Sequence, residues 1–105
     1  MASKYRNQKT NGYDSKKEAS IAASLEALQK DGIIYDLQKQ VKFELIPKQE
    51  GERAVYYIAD FTYHLQINGL FVVADVKSAF TRKNPLYIVK RKLMKWRHKI
   101  TIEEI

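Results

Sequence analysis

Val55-Tyr56-Tyr57-Ile58-Ala59-Asp60-Phe61-Thr62-Tyr63-His64-Leu65-Gln66-Ile67-Asn68-Gly69-Leu70-Phe71-Val72-Val73-Ala74-Asp75-Val76-Lys77-Ser78 reads as two strands joined by a turn. Asn-Gly between apolar runs is the strongest short-range hairpin signal, because both residues tolerate the positive φ of a type I′ turn. With Asn68 and Gly69 as a two-residue loop, Ile67 faces Leu70, Lys77 lies across from Asp60, and Asp75 lies across from Thr62. Side chains alternate along a strand, so this register puts Asp60, Thr62, Asp75 and Lys77 on one face. Two carboxylates and an ammonium then converge within one or two cross-strand spacings. That is the outline of a metal-and-water site.

The same residues could form an ordinary cross-strand ion pair on a solvated face, which is worth little. Their neighbours oppose that reading. Tyr56-Tyr57-Ile58-Ala59 precedes Asp60, and Phe71-Val72-Val73-Ala74 precedes Asp75. Both faces of these runs are largely apolar, as in a central strand covered on two sides. Carboxylates in such strands are scarce and are usually paired or bound to a cation.

Around the hairpin, the chain predicts six elements in the order αβββαβ. A helix over 15–31 opens with the capping box Ser15-Lys16-Lys17-Glu18 and stops at Gly32. Ile21, Ala22, Leu25 and Leu28 form its apolar stripe, and Glu18 projects from the same side. Glu18 therefore has two readings, a cap reaching back to Ser15 or a carboxylate facing the sheet. A strand over 33–46 ends in the alternation Val41, Phe43, Leu45, and a polar loop over 47–53 follows. The hairpin strands cover 55–66 and 70–78. A second helix over 85–98 has Asn84 as N-cap and Pro85 at its first position, with Leu86, Val89, Leu93 and Trp96 as the expected buried stripe. Residues 100–103 make a short last strand, and 1–13 form a basic N-terminal arm. The 105 residues suit one domain with one core.

Composition narrows the function classes. Apolar content of 45% is a globular value, and the absence of cysteine removes disulfides, thiolate metal sites and cysteine nucleophiles. No run is long enough to span a membrane, and the start of the chain lacks a signal-peptide core, so a cytoplasmic location is expected. The formal charge is +7, and from Arg82 to Lys99 there are eight Lys or Arg and no acid. Charge concentrated in this way points to a polyanion, most often nucleic acid. On the second helix, Lys90, Arg91, Lys92, Lys95 and Arg97 suit phosphate contacts that position DNA without reading sequence. Lys4, Arg6, Lys9, Lys16 and Lys17 add a second cluster near the start, of which Lys4, Arg6 and Lys9 could form an arm that grips DNA.

Asp60, the triplet Asp75-Val76-Lys77 and the element order resemble the PD-(D/E)XK nuclease superfamily. Tyr13-Asp14-Ser15-Lys16-Lys17-Glu18-Ala19, Ala59-Asp60-Phe61 and Ala74-Asp75-Val76-Lys77 look especially like small phage-encoded proteins related to Holliday-junction resolvases. The resemblance implies a restriction-endonuclease-like αβββαβ core, a mixed sheet flanked by helices. It implies Asp60 and Asp75 as direct metal ligands, the carbonyl of Val76 as a third, and Glu18 as a further ligand from the first helix. Two departures stand out: Ile58-Ala59 occupy the place where a proline often precedes the first Asp, and Asp75 stands where Glu is frequent.

Phosphodiester hydrolysis needs a nucleophilic water and a counter-charge for the phosphate, which Mg²⁺, or Mn²⁺ in its place, can supply. Lys77 would orient or deprotonate the attacking water. The function expected is a metal-dependent endodeoxyribonuclease on branched DNA such as Holliday junctions. It would act as a homodimer, because resolving a junction takes paired cuts. For a phage-encoded chain the compartment is the bacterial host cytoplasm. The competing readings are a general or nicking DNA nuclease and a non-catalytic DNA-binding module on the same scaffold. Trp96 is expected in the core, His64 in a structural role, and Gln40 as a weak candidate to support the metal.

Overall fold

Ser15 opens the first helix because its extended backbone (φ −149°, ψ 158°) lets Oγ accept the N–H of Glu18 at 3.0 Å. Such a cap stabilises a helix by about 1 kcal/mol. The structure is a computed structural model and describes residues 15–105; the basic arm and its Lys4, Arg6 and Lys9 lie outside the described residues. Helix α1 covers Lys16–Lys30. Gly32, at φ +78°, ends it in a Schellman arrangement: its N–H bonds the Gln29 carbonyl while the Ile33 N–H bonds that of Leu28.

Strand β1 (Ile34–Ile46) runs antiparallel to β2 (Val55–Leu65), which runs antiparallel to β3 (Phe71–Asp75). Strand β4 (Glu103–Glu104) returns parallel to β3, giving a four-stranded mixed sheet in the order β1-β2-β3-β4. Helix α2 (Pro85–Leu93) makes the crossover between β3 and β4. The element order is therefore αβββαβ, as the pattern of turns and periodicities predicts. No helix among the described residues is long and apolar enough to cross a membrane.

The hairpin register differs from the expected one. The loop has four residues, Gln66 to Gly69: the Leu65 N–H bonds the Leu70 carbonyl at 2.9 Å, and the Gly69 N–H bonds back to Leu65. Of the two turn residues only Gly69 has a positive φ, whereas a type I′ turn needs it at both. Asn68 instead uses its side chain, which accepts the Leu70 N–H at 2.9 Å. Thr62 consequently lies across from Val73 rather than Asp75, and Phe61 across from Ala74. The slip is two residues, an even number, so it leaves unchanged which side chains share a face.

Two cores cover the sheet. Ala74 packs with Ala22 and Leu25 of α1, while its neighbour Val73 packs with Tyr87 of α2 and with Met94, the residue after its end. Successive strand residues point to opposite faces, so the helices cover opposite sides. Strand β2 does not hold one face throughout. Phe61 packs in the α1 core, but Tyr57 and Ala59, which plain alternation would send the same way, pack in the α2 core. The change falls at Asp60. In the β1 register this position lies across from Gln40, whose φ of 54° is left-handed.

Helix α2 also turns a different side inward than hydropathy suggests. Tyr87 and Met94 are buried, while Leu86, Val89 and Trp96 of the expected stripe are exposed and only Leu93 is half-buried. The inward side carries Arg91, which bonds Glu104 at 3.2 Å. A periodicity reading assigns a face bearing an arginine to solvent; the Glu104 carboxylate on β4 makes it an inner one. Beyond Leu93 the helix widens into a π turn over Met94–His98, which carries Trp96 out to solvent.

Candidate active site

The β2–β3 ladder stops at the pair Phe61 and Ala74, one step short of the two carboxylates. Beyond it Asp75 pairs with Glu104 of β4, and β2 continues beside β1 alone. Asp60 closes the gap with its side chain: Oδ2 accepts the Val76 N–H at 2.8 Å. A carboxylate thus stands where a ladder carbonyl would, and both aspartates reach one point.

Asp75 is 3% exposed. Its Oδ2 lies 2.9 Å from Lys77 Nζ, and that ammonium sits 4.1 Å from the centre of the Tyr87 ring. Glu18, in the first turn of α1, is 8% exposed and reaches across to the sheet. The Gln40 Nε2 stands 3.4 Å from Glu18 Oε2 and 3.4 Å from Asp60 Oδ1, bridging helix and strand carboxylates. This favours the sheet-facing reading of Glu18, with the Ser15 hydroxyl capping the Glu18 N–H independently.

The electrostatics follow from burial. Desolvation, reinforced by a hydrogen bond with Asp75 and the charge of Glu18, pushes the Asp60 carboxyl up to about 7, while the Val76 N–H pulls the other way. Burial, then the Asp75 charge, raises the Tyr57 phenol above its ordinary value. The Tyr57 Oη is buried, and no hydrogen bond to it is formed among the described residues. Glu18, Asp60 and Asp75 thus gather at one cleft beside the Lys77 ammonium.

In chemistry the donor set suits a hard cation: all its oxygens are hard ligands. No group of three or more His, Cys, Asp or Glu among the described residues is gathered as a metal shell. Mg²⁺ asks for less, since it binds through one or two carboxylates and keeps several waters. Asp60 and Asp75 meet that requirement in number, with the Val76 carbonyl next in the chain.

The cluster lines a cleft of about 500 Å³ together with Tyr57, Phe80, Tyr87 and Lys90. Of the five expected phosphate-binding cations, Lys90 lines this cleft and Lys92 and Lys95 are exposed. Arg91 bonds Glu104, and Arg97 bonds Glu44 at 2.8 Å. His64 is remote in register, stacked on Tyr35 (5.1 Å between centroids) and beside Phe71 (4.9 Å), which fits a structural role. Tyr57, Tyr87 and Phe80 are the residues that sequence reasoning missed. Alternation through Asp60 would turn Tyr57 away from Asp75, and only the left-handed Gln40 hints at the break. Tyr87 lies on the helix side that Arg91 seemed to assign to solvent.

Residues 2–103 match the model of a family described as "Protein of unknown function (DUF1064)". The chain belongs to that family. No curated protein and no solved structure matches it. In this DUF1064 protein the matched stretch includes Glu18, Gln40, Asp60, Asp75, Lys77 and every residue of α2.

Proposed function

We propose that this DUF1064 protein is a metal-dependent endonuclease that hydrolyses phosphodiester bonds in DNA, with branched DNA as its preferred substrate. The observation that carries the reading is the meeting of Asp60, Asp75 and Lys77 at an open cleft where β2 and β3 part. The resemblance of these residues to the PD-(D/E)XK motif supports the same reading.

Asp60, Asp75 and the Val76 carbonyl would hold Mg²⁺ or Mn²⁺, with Glu18 in support from α1. When bound, such an ion supplies positive charge against the phosphate and acidifies water. The protein's part is positioning. The Val76 N–H holds Asp60 in place, and Gln40 holds Asp60 and Glu18 at a common distance. Lys77, steadied by the Tyr87 ring, offers its ammonium to orient the attacking water and offset the phosphate charge. The water oxygen bonds to phosphorus as the bond to the leaving deoxyribose oxygen breaks, the attacking water gives up a proton to solvent, and the leaving oxygen takes one from solvent. Lys90, Lys92 and Lys95 steady the neighbouring phosphates.

A homodimer would bring two such sites to one junction, which symmetric resolution needs. The test is incubation of the purified protein with labelled duplex, single-stranded, flap and four-way-junction DNA in Mg²⁺, Mn²⁺ or EDTA. The expected result is metal-dependent cutting, strongest on the junction, and its loss in Lys77→Ala with binding retained. A protein that cuts none of these in either metal ends the reading. A monomer that cuts duplex as readily as junction leaves a general nuclease.

A further inference from the structure

We propose that the wall of the cleft beside the carboxylates holds an unstacked base of single-stranded DNA, with the Phe80 ring as its platform. This inference rests on the nucleic-acid reading above and names the form of DNA that enters the cleft.

Phe80 is 85% exposed, although an aromatic side chain gains roughly 1.5–3 kcal/mol from full burial. Its exposure is built in, because the turn that carries it closes on itself. The Ser78 N–H donates to Thr81 Oγ1 at 2.8 Å, and the Thr81 N–H donates to Ser78 Oγ at 3.1 Å. The Arg82 N–H then bonds the Ser78 carbonyl at 3.0 Å and leads into the 3-10 turn over Thr81–Lys83. Phe80 is held between two reciprocally bonded hydroxyl residues, so its ring stands on a fixed backbone.

The surroundings select the occupant. Phe80 shares the cleft with Ile58 and Leu86, which are 50% and 63% exposed, and with the carboxylates of the site. The cations Lys77 and Lys90 line the same cleft, and Lys83 stands exposed in the turn beside Phe80. An apolar, aromatic wall edged with cations and adjoining a phosphate-cleaving site complements an anionic chain that shows a flat apolar face. Paired duplex keeps its base faces stacked inside and presents sugar, phosphate and base edges. A single strand shows the face of each base, and stacking on an aromatic ring is the usual way proteins hold it. Frayed arms at a junction or a flap supply such bases.

The test is binding without cleavage. The full chain is titrated in EDTA with a labelled single strand of about 20 nucleotides and with duplex of equal length. Phe80→Ala, exposed and therefore expected to fold, is compared with Phe80→Trp and Phe80→Leu. Phe80→Ala should weaken single-strand binding about fivefold or more and duplex binding less than twofold. Phe80→Trp should restore the single-strand affinity, and Phe80→Leu, apolar but without a π face, should not. Equal losses on both DNAs, no loss on either, or rescue by Phe80→Leu would overturn the inference. So would a fall in self-association by sedimentation with DNA affinities unchanged, which would make this face a contact between copies. A protein that grips single strands through Phe80 but never cuts in Mg²⁺ keeps this inference and loses the endonuclease. One that cuts, yet binds single strands equally well as Phe80→Ala, does the reverse.

Discussion

The backbone N–H of Val76 donates to Asp60 Oδ2 at 2.8 Å, joining β2 to β3 at the point where their ladder has ended. This hydrogen bond ties Asp60 to the residue that follows Asp75. It also leaves Asp60 Oδ1 turned to Gln40.

Asp75→Asn is expected to abolish cleavage and to leave DNA binding intact or stronger. The change removes a ligand charge and also a repulsion toward phosphate, and it keeps the side-chain volume. Parallel turnover and anisotropy measurements on the same preparation check it. Turnover at the wild-type rate in Mg²⁺ would move the chemistry elsewhere.

Tyr57→Phe should leave the fold intact and change the unfolding free energy by no more than about 1 kcal/mol, since it removes a buried hydroxyl that lies beside Asp75 but outside hydrogen-bond geometry. Removing the phenol beside Asp75 is also expected to slow cleavage, because it changes the surroundings of that carboxylate. Urea denaturation in EDTA gives the first quantity and single-turnover kinetics the second. A clear loss of stability would show that the hydroxyl has a partner in the folded protein.

DNA affinity should fall steeply with salt, because each phosphate neutralised by Lys or Arg releases counterions. The double change Lys92→Glu and Lys95→Glu should flatten that slope. Arg97→Ala should instead lower stability modestly, by up to about 1 kcal/mol, since its guanidinium is engaged by Glu44. A salt series of binding curves separates the two groups. An unchanged slope in the double variant would move the DNA surface off α2.

Glu104 ties β4 to α2 through the Tyr87 hydroxyl, Arg91 and Arg82, and these partners hold its carboxyl below the ordinary range. The folded state therefore binds its proton less readily than the unfolded chain. The stabilisation is fully present above the unfolded value, near 4.5, and is lost as pH falls through the lower folded value. Glu104→Gln should destabilise the protein at pH 7 and carry a smaller penalty at pH 3, below the unfolded value. Chemical denaturation at the two pH values decides it, and an equal penalty at both would show that the contact acts by packing alone.

The order of the six elements was legible in the chain because each boundary is local chemistry. Ser15 and Asn84 cap helices with their own side chains, Gly32 ends one, and Asn68-Gly69 turns a hairpin. The catalytic candidates were legible for the same reason: an Asp within each of two apolar runs is visible without coordinates. Their convergence survived a wrong register because the four-residue loop slipped the pairing by two, which conserves the faces.

Three things waited for the tertiary structure. Which side of α2 turns inward depended on Glu104, more than ten residues away, neutralising Arg91; within the helix alone that arginine argues for solvent. Whether Glu18 faces the sheet depended on Gln40 crossing from β1 to meet it. The entry of Tyr57 into the site depended on the break in alternation at Asp60, opposite a residue with left-handed φ. Local rules of period and capping act over a few residues, and the chain writes them out directly. Charge compensation and a change of strand face are settled between segments far apart in sequence, so only the packed molecule could decide them.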